Sequence, residues 1–480
     1  MKNEGIKTMS FRRCWLPAVM TLLLVGPAFG AKKNVVLFVT DDQSPDAGCY
    51  GNSVIKTPNL DLLAAESTRF DRAFCTTASC SASRSVILTG IFNHANAQYG
   101  HEHTYHHFRT YDRIRSLPVL MSAAGYQTIR VGKFHVGPEP VYHFETALKA
   151  SSRNPVQMAE RVRATLGERS DDRPFFLFFC TSDPHRGGGK ASELPHGPDR
   201  FGNPRPGQKV AGVTEVRYDP KDVIVPPFLP DTPACRAELA QYYQSVSRID
   251  QGLGVLMQVL KDANVFDDTL FIYTSDHGMA FPGAKTNVYE PAMRVPFVVR
   301  NPYEKGAASV SQAMISFVDL TPTILNFAGA LPAKSPFHGR SFLPTLGEAN
   351  PKDWNEVFAS HTFHEITMYY PMRVVRTDRY KLIWNIAHGL PYPFASDLWA
   401  APTWQGVFKQ GPDALYGKRT VKDYIHRAKF ELYDLKSDPD EIKNLVDDSR
   451  YAETFAQLKK KLRMFQKRTS DPWELKWRYE

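Results

Sequence analysis

The stretch NVVLFVTDD, from Asn34 to Asp42, decides the fold class of this chain. It places a run of apolar, largely β-branched residues directly before two aspartates. A continuous apolar run of this length is typical of a strand that is covered on both faces, as in a parallel sheet. The two acids would then stand at the carboxyl end of the strand, where open α/β sheets bind their ligands.

Three further stretches repeat this pattern of an apolar run that ends in polar groups. Segments with helical periodicity separate them, such as the long amphipathic run at residues 236–263. We therefore predict an α/β fold with a mostly parallel sheet sandwiched by helices. The stretches and their polar ends are YQTIRVGKFH (126–135) with Lys133 and His135, RPFFLFFCTSDPHR (173–186) with Asp183 and His185, and DTLFIYTSDHG (268–278) with Asp276 and His277.

The acids at two of these strand ends predict a metal site. In one cleft, Asp41, Asp42 and Asp276 would repel one another unless a cation lay between them. Oxygen ligands favour a hard cation over zinc. His277 leaves a softer metal open as an alternative. We expect one ion per chain, Ca²⁺ in preference to Mg²⁺.

A cysteine in SCSASRSVILTG, residues 79–90, lies at the start of another predicted helix. Backbone amides at this end attract anions, and Arg84, one turn beyond Cys80, can bind the same anion. Three interpretations are open: a buried structural thiol, a thiolate nucleophile with His135 or His185 as its base, and the precursor of a modified residue. A thiolate fits poorly beside metal-bound carboxylates, because they raise its pKa.

The pattern C-S-A-S-R followed by x-x-x-L-T-G resembles the signature of the sulfatase family, in which the cysteine is oxidised to Cα-formylglycine. The family pattern has proline where this chain has Ala82. The motifs TDDQ, GKFHVG, DPHR, TSDHG and ELYDLKSDPDEIKNL resemble further family motifs in the same order. The resemblance therefore extends over nearly the whole chain, and it implies the alkaline phosphatase/sulfatase-like fold.

Longer segments are similar to one branch of that family, the sulfamidases of heparan sulfate breakdown. They are HHFRTYDRIRSLPVLMSAAGYQT, GKFHVGPEPVYHFE and HEITMYYPMR. Sulfamidases carry asparagine and arginine where this chain has His277 and Lys285. The exchange of arginine for lysine removes a bidentate donor for sulfate.

The resemblance implies a mechanism. Residue 80, as hydrated formylglycine, binds the metal together with the acids, so Cys80 is one of the implied metal ligands. One of its two hydroxyls, activated with help from Asp276, attacks sulfur. Arg84, Lys133 and Lys285 stabilise the charge that develops on the sulfate oxygens.

The same resemblance assigns proton transfer and substrate binding. His185, with Lys285, protonates the leaving group, and His135 then deprotonates the second hydroxyl so that sulfate leaves. In the segment FHEIT, His364 and Glu365 are candidates for contacts with the sugar or its amine. The alternative is that both residues lie in a loop and face solvent. The substrate-binding candidates are Asp183, Lys285, His364 and Glu365.

The two ends of the chain differ from its centre. Residues 1–30 read as a signal peptide, because prolines interrupt a short apolar run that follows basic residues. We predict a catalytic domain at 31–345 and a smaller C-terminal α+β subdomain at 346–480 with an antiparallel sheet, which in the family supplies one wall of the substrate pocket.

The segment HANAQYGHEHTYHHF contains five histidines, which makes a zinc cluster possible. Their spacing matches no recognised zinc motif with carboxylates or thiols. We therefore expect a loop at the mouth of the active site that shapes the pocket. The histidines are His94, His101, His103, His106 and His107.

We predict an exported enzyme, periplasmic or secreted (lysosomal in a eukaryote), that hydrolyses the N-sulfate of glucosamine in heparan sulfate fragments. The alternatives are an O-sulfatase acting on a sulfated glycan, a phosphoesterase or phosphonate hydrolase, and an inactive glycan-binding relative. Expected partners are the sulfated glycosaminoglycan, a formylglycine-generating enzyme and a second copy in a homodimer. The net charge of +9 suits an anionic substrate, but the chain has no basic, aromatic-rich block for nucleic acid and no predicted stable membrane insertion.

Overall fold

The structure is a computed structural model that describes residues 1, 33–169, 172–187, 199–205, 207–304 and 309–479. Nearly all of the predicted signal peptide lies outside the described residues. Residues Lys33–Glu480 form one compact unit. Within the described ranges, no helix combines the length and apolar character needed to cross a bilayer.

The strands and helices follow one another in the chain as the alternating pattern predicts. The strands are β1 Asn34–Thr40, β2 Thr68–Phe74, β3 Gln127–Gly132, β4 Thr146–Leu148, β5 Phe175–Cys180, β6 Thr269–Ser275, β7 Arg294–Val295, β8 Phe297–Arg300, β9 Ser309–Ser316, β10 Glu356–His361, β11 Met372–Thr377, β12 Tyr380–Asn385, β13 Leu415–Tyr416, β14 Arg419–Thr420 and β15 Phe430–Asp434. The helices are α1 Pro58–Ala64, α2 Cys80–Thr89, α3 Asn93–Asn96, α4 Leu117–Ala123, α5 Pro155–Gly167, α6 Pro233–Asp262, α7 Glu290–Met293, α8 Leu320–Phe327, α9 Ser396–Trp399, α10 Pro402–Phe408, α11 Val421–Ile425, α12 Ala452–Arg468 and α13 Lys476–Tyr479.

The large sheet has the order β4-β3-β5-β1-β6-β8-β2-β7, and β9 pairs with β2. The five neighbouring strands β4, β3, β5, β1 and β6 run parallel to one another. Strand β8 is antiparallel to both of its neighbours, β6 and β2. Helices α1, α5 and the C-terminal half of α6 pack in the core on one face, and α2, α4, α8 and the N-terminal half of α6 belong to the other core. This architecture confirms the predicted α/β class.

Strand β1 shows why the decisive stretch is continuously apolar. All seven of its residues are buried. Val35, Leu37 and Val39 enter the core on one face, and Val36 and Phe38 enter the core on the other. Because side chains alternate between faces, a strand with a core on each side requires an apolar residue at every position.

The strand register brings the polar strand ends together. Thr40 of β1 pairs with Ser275 of β6, and Cys180 of β5 pairs with Val39 of β1 and with Gly132 of β3. The residues that follow β1, β3, β5 and β6 therefore emerge side by side at one edge of the sheet.

A second, antiparallel sheet with the order β10-β11-β12-β15 forms in the C-terminal part, as expected. Its first strand is joined to the segment before α2 by a backbone bond from Ser360 N to Thr76 O of 2.8 Å. Arg373 of β11 donates to the carbonyl of His361 at 2.9 Å and forms a two-point ion pair with Asp471. Both side chains of the pair are fully buried. The pair therefore ties the C-terminal residues to the strand that leads into residues 362–365.

We expect Asp471→Ala to lower the free energy of unfolding by about 3–5 kcal/mol, because it leaves a buried guanidinium without its partner. Asp262→Ala is the control, since Asp262 forms an exposed ion pair with Arg163 and should cost no more than about 1 kcal/mol. Denaturant unfolding of both variants measures the difference, and equal losses would contradict the role of the buried pair.

Candidate active site

The residues that follow β3 and β5 line one cleft of about 900 Å³. The residues that follow β1 and β6, together with Cys80 of α2, form a buried group that contacts Lys133 and His185 of this lining. Cys80 is the first residue of α2 and is fully buried at the base of the site. Six of the predicted site residues line the cleft: Lys133, His135, His185, Lys285, His364 and Glu365.

The predicted metal ligands lie together beneath this cleft. The possible ligand atoms of Asp42, Cys80, Asp276 and His277 all lie within 4.8 Å of one another, and Asp41 belongs to an overlapping group. Asp42 has a left-handed backbone with φ of 64°, which is uncommon for a residue other than glycine. This turn breaks the alternation of the strand, so the carboxylates of both consecutive aspartates enter the same cluster.

The residues of this cluster fit a cation. Nδ1 of His277 donates to the carbonyl of Gly278 at 2.9 Å, so in the neutral imidazole Nε2 carries a lone pair. That Nε2 lies 3.0 Å from Oδ1 of Asp42, a distance at which the two atoms need either a proton or a metal cation between them. Burial, and next the charge of Asp41, raise the pKa of Asp276 to about 6. The donor set, three carboxylates and one imidazole, suits a divalent cation.

Two lysines and an arginine surround the acids. Lys133 Nζ lies 2.6 Å from Oδ2 of Asp41, and Lys285 Nζ lies 3.2 Å from Oδ2 of Asp42. Burial alone would raise the pKa of Asp41, but Lys133, His185 and Arg84 outweigh it and hold that pKa well below its usual value. Both lysines also line the cleft, so their charge reaches a bound anion.

Arg84 does not lie where the sequence analysis expected it. Its Nε and Nη2 donate to Asp276 and Asp41 at 3.0 Å each, and its side chain is fully buried behind these carboxylates. It is absent from the lining of the cleft as described. The guanidinium therefore orients two candidate metal ligands through Nε and Nη2, while its Nη1 is buried without a hydrogen-bond partner in the described part of the chain.

Asp183 also differs from its expected role in substrate binding. Its two carboxylate oxygens accept bonds of 2.7 Å from Arg153 and Arg248, and the side chain is fully buried. Arg153 donates in addition to the carbonyl of His185 at 3.1 Å. Because both oxygens are engaged away from the cleft, Asp183 anchors the loop that carries His185.

His185 is held by the cluster through one ring nitrogen. Its Nδ1 lies 2.6 Å from Oδ2 of Asp42 and 3.3 Å from Lys285 Nζ. A proton on Nδ1 satisfies the carboxylate and leaves Nε2 for a substrate. Burial and then the charge of Lys285 lower the pKa of His185, and Asp42 only partly opposes them.

The C-terminal part contributes one wall of the cleft, through the two residues predicted in FHEIT. His364 is buried, with Nδ1 at 3.0 Å from Ser79 Oγ and Nε2 at 3.0 Å from Nε2 of His101. Glu365 accepts from the backbone and the hydroxyl of Ser396 at 3.1 and 2.9 Å. His364 is therefore part of a bonded network and not of a solvated loop.

Sequence reasoning missed Asp397. Its Oδ2 lies 2.9 Å from Lys285 Nζ, so this lysine bridges Asp42 and Asp397 at the cleft. Asp397 belongs to the four-residue helix α9, in a segment that carries no recognisable motif. The missed anchors Arg153 and Arg248 likewise lie on helical stretches or loops without a signal of their own.

The chain is similar to known proteins along most of its length. The sulfatase family matches residues 33–330, and the family described as N-sulphoglucosamine sulphohydrolase, C-terminal, matches residues 278–390 and 418–468. The human N-sulphoglucosamine sulphohydrolase is 41% identical over 96% of this chain and 95% of its own length. An ulvan-active sulfatase of Formosa agariphila is 28% identical over 90% of this chain and 79% of its own length.

Solved structures share the fold. One, described in complex with its substrate D-glucosamine-2-N,6-O-disulfate, superimposes with a TM-score of 0.67 over 92% of this chain and 99% of its own, at 22% sequence identity. At this identity the similarity shows the fold alone.

We expect a divalent cation to raise the melting temperature of metal-depleted protein. An ion that binds only the folded state stabilises it by about 2.7 kcal/mol when the free ion concentration is 100 times the Kd. Asp276→Asn should abolish most of this rise. Asp319→Asn, which alters a buried acid in a helix-capping box outside the cleft, should keep it. A rise in Asp276→Asn equal to that of the unaltered protein would exclude this cluster as the site.

Proposed function

The chain belongs to the sulfatase family of sulfate ester and sulfamate hydrolases, and we propose on this basis that it removes the N-sulfate of glucosamine residues in heparan sulfate or heparin fragments. The observation that carries the proposal is the similarity to the human N-sulphoglucosamine sulphohydrolase over almost the whole chain. The strand-end machinery is common to enzymes that cleave esters and sulfamates. The similarity also covers the C-terminal segments that form one wall of the cleft, where a substrate sugar would be distinguished.

We propose that Cys80 is converted to formylglycine. Burial, more than any other effect, raises the pKa of its thiol well above the usual value, which disfavours a thiolate nucleophile. Formylglycine, once hydrated, supplies a hydroxyl that can attack sulfur, and a divalent cation supplies positive charge beside it. Because Cys80 is fully buried in the folded chain, we propose that a formylglycine-generating enzyme acts before folding is complete.

For the cation we propose Ca²⁺, held by Asp41, Asp42, Asp276, His277 and the modified residue 80. Predominantly oxygen ligands support a hard ion, and Ca²⁺ tolerates an irregular ligand set better than Mg²⁺ does. The ion that gives the largest rise in melting temperature, together with elemental analysis, identifies it.

The remaining residues of the cleft would stabilise charge and move protons. Lys133 and Lys285 stand at the cleft with their ammonium groups oriented by carboxylates, which suits them to stabilise sulfate oxygens in the transition state. His185 would donate a proton to the leaving nitrogen from its doubly protonated form, in which Asp42 holds the proton on Nδ1 and Nε2 carries the proton that is transferred to the substrate. His135, also on the cleft, would accept a proton as sulfate is released.

We further propose export of the chain, guided by residues 1–30, and assembly as a homodimer. The apolar run after basic residues supports export, and the family resemblance supports the dimer. Size-exclusion chromatography with light scattering tests the assembly.

In an active preparation, the tryptic peptide that contains residue 80 should be lighter than its unmodified form by about 18 Da, the difference between a thiol and an aldehyde side chain. Mass spectrometry measures it, and a carbonyl reagent should label the same peptide. Cys80→Ala should eliminate turnover without unfolding the protein. Full activity in protein that carries only unmodified cysteine would contradict the proposal.

N-sulfated glucosamine should release sulfate faster than 6-O-sulfated glucosamine at matched concentration. His185→Ala should lower kcat for the sulfamate by ~10²–10⁴-fold, the usual contribution of a positioned acid, and by less for an aryl sulfate, whose leaving group needs little protonation. Ion chromatography of sulfate measures both, and His143→Ala, which alters an exposed histidine bonded to Glu139, serves as control. Preference for the 6-O ester would replace the sulfamidase assignment with an O-sulfatase.

A further inference from the structure

Three histidines from two separate loops meet at the rim of the cleft. One imidazole nitrogen from each of His101, His103 and His135 lies within 4.8 Å of the others. The ring centroids are separated by 4.6 to 4.9 Å. We propose that these three side chains form a second metal site, which takes a nitrogen-preferring divalent ion such as Zn²⁺ and is distinct from the carboxylate cluster.

The backbone holds this site in place before any ion binds. The N–H of His101 donates to the carbonyl of His364 at 2.9 Å, and its carbonyl accepts from the N–H of Phe108 at 3.1 Å. The next residue, Glu102, is bonded through its N–H to Ser81 Oγ in α2 at 3.1 Å. His135 has a left-handed backbone with φ of 60°. The loop that carries two of the ligands is therefore fastened both to the wall of the cleft and to the helix of Cys80.

The hydrogen bonds of the three rings are incomplete. Nδ1 of His101 and Nδ1 of His135 are buried and have no hydrogen-bond partner in the described part of the chain. Nδ1 of His103 and Nε2 of His135 face each other at hydrogen-bond distance. An ion would replace this hydrogen bond, because both facing nitrogens present lone pairs when each neutral ring carries its proton on the other nitrogen. The second nitrogen of His101 is bonded to His364, the kind of outer contact that fixes the orientation of a metal-binding imidazole.

The charge state of the rings also suits ligation. Burial lowers the pKa of His101, His103 and His135, so each ring is neutral, as a metal ligand must be. Lys133 opposes a nearby cation, but its ammonium is paired with Asp41 at 2.6 Å. Glu102 adds a negative charge on the same loop as two of the ligands.

Three imidazoles with room for water form a tetrahedral zinc site with an open position. The nitrogen donors set it apart from the oxygen-rich cluster, since imidazole favours Zn²⁺ and carboxylate favours Ca²⁺. An ion here would occupy the imidazole of His135 and narrow the cleft. We therefore expect Zn²⁺ to inhibit sulfamate hydrolysis reversibly, a consequence that rests on the proposed function, whereas the binding itself does not.

The experiment uses the full-length, calcium-loaded protein in excess Ca²⁺, with Zn²⁺ titrated in competition with a chromogenic chelator and Co²⁺ as a spectroscopic probe. We expect one Zn²⁺ site, and an intense visible Co²⁺ spectrum of a four-coordinate nitrogen site. His103→Ala should weaken Zn²⁺ binding by more than the ~10–100-fold that loss of an outer-sphere partner costs. His103 is exposed, so this variant should fold. The matched control is His107→Ala, which alters an exposed histidine on the same loop outside the trio.

The carboxylate cluster provides a second control. Asp276→Asn should lose Ca²⁺ and keep the Co²⁺ spectrum, because Asp276 is bonded to Arg84 and the pair of Lys133 with Asp41 stays in place. His103→Ala should keep Ca²⁺ and lose that spectrum. A nitrogen-only chelator should restore sulfamate hydrolysis after Zn²⁺ inhibition. Unchanged Zn²⁺ affinity in His103→Ala, or loss of the Co²⁺ spectrum in Asp276→Asn, would overturn the second site. In either case, sulfamate hydrolysis by the unaltered calcium-loaded protein without added Zn²⁺ would leave the proposed function standing.

Discussion

The buried cluster of three aspartates is the constraint on which the rest of the structure depends. Asp41, Asp42 and Asp276 are fully removed from solvent within one cluster, an arrangement that costs several kcal/mol per charge unless cations and hydrogen bonds offset it. Arg84 and two lysines supply part of the offset from three different elements. The elements that carry these groups must therefore pack in one arrangement, because displacement of any of them leaves a buried charge without its partner.

The parallel sheet makes this arrangement possible with few residues. Neighbouring parallel strands end at the same edge, so one or two polar residues after each strand reach a common point without long loops. An extended strand would direct the side chains of consecutive residues to opposite faces. The left-handed backbone of Asp42 departs from this pattern and directs a second carboxylate into the cluster. Three arginines bond to the acids: Arg84 orients the candidate metal ligands, and Arg153 and Arg248 hold Asp183 under the loop of His185.

The C-terminal sheet performs a different task, because it supplies the wall that faces the strand ends. Its attachment relies on the buried pair of Arg373 and Asp471 and on the network from Ser79 through His364 to His101. The wall is thus bonded directly to the helix cap beside Cys80.

The sequence by itself determined the fold class and most of the residues gathered at the cleft. A strand with a core on both faces must be apolar throughout. The polar residues that follow β1, β3, β5 and β6 can therefore lie only beyond the ends of these strands, at the edge of the sheet. The order of motifs likewise pointed to the sulfatase family. Only the tertiary structure decided which way each side chain faces, because this depends on partners far away in the chain. It turned Arg84 and Asp183 away from the cleft, brought Asp397 to Lys285, and joined His101 and His103 to His135, which no spacing within a single segment could reveal.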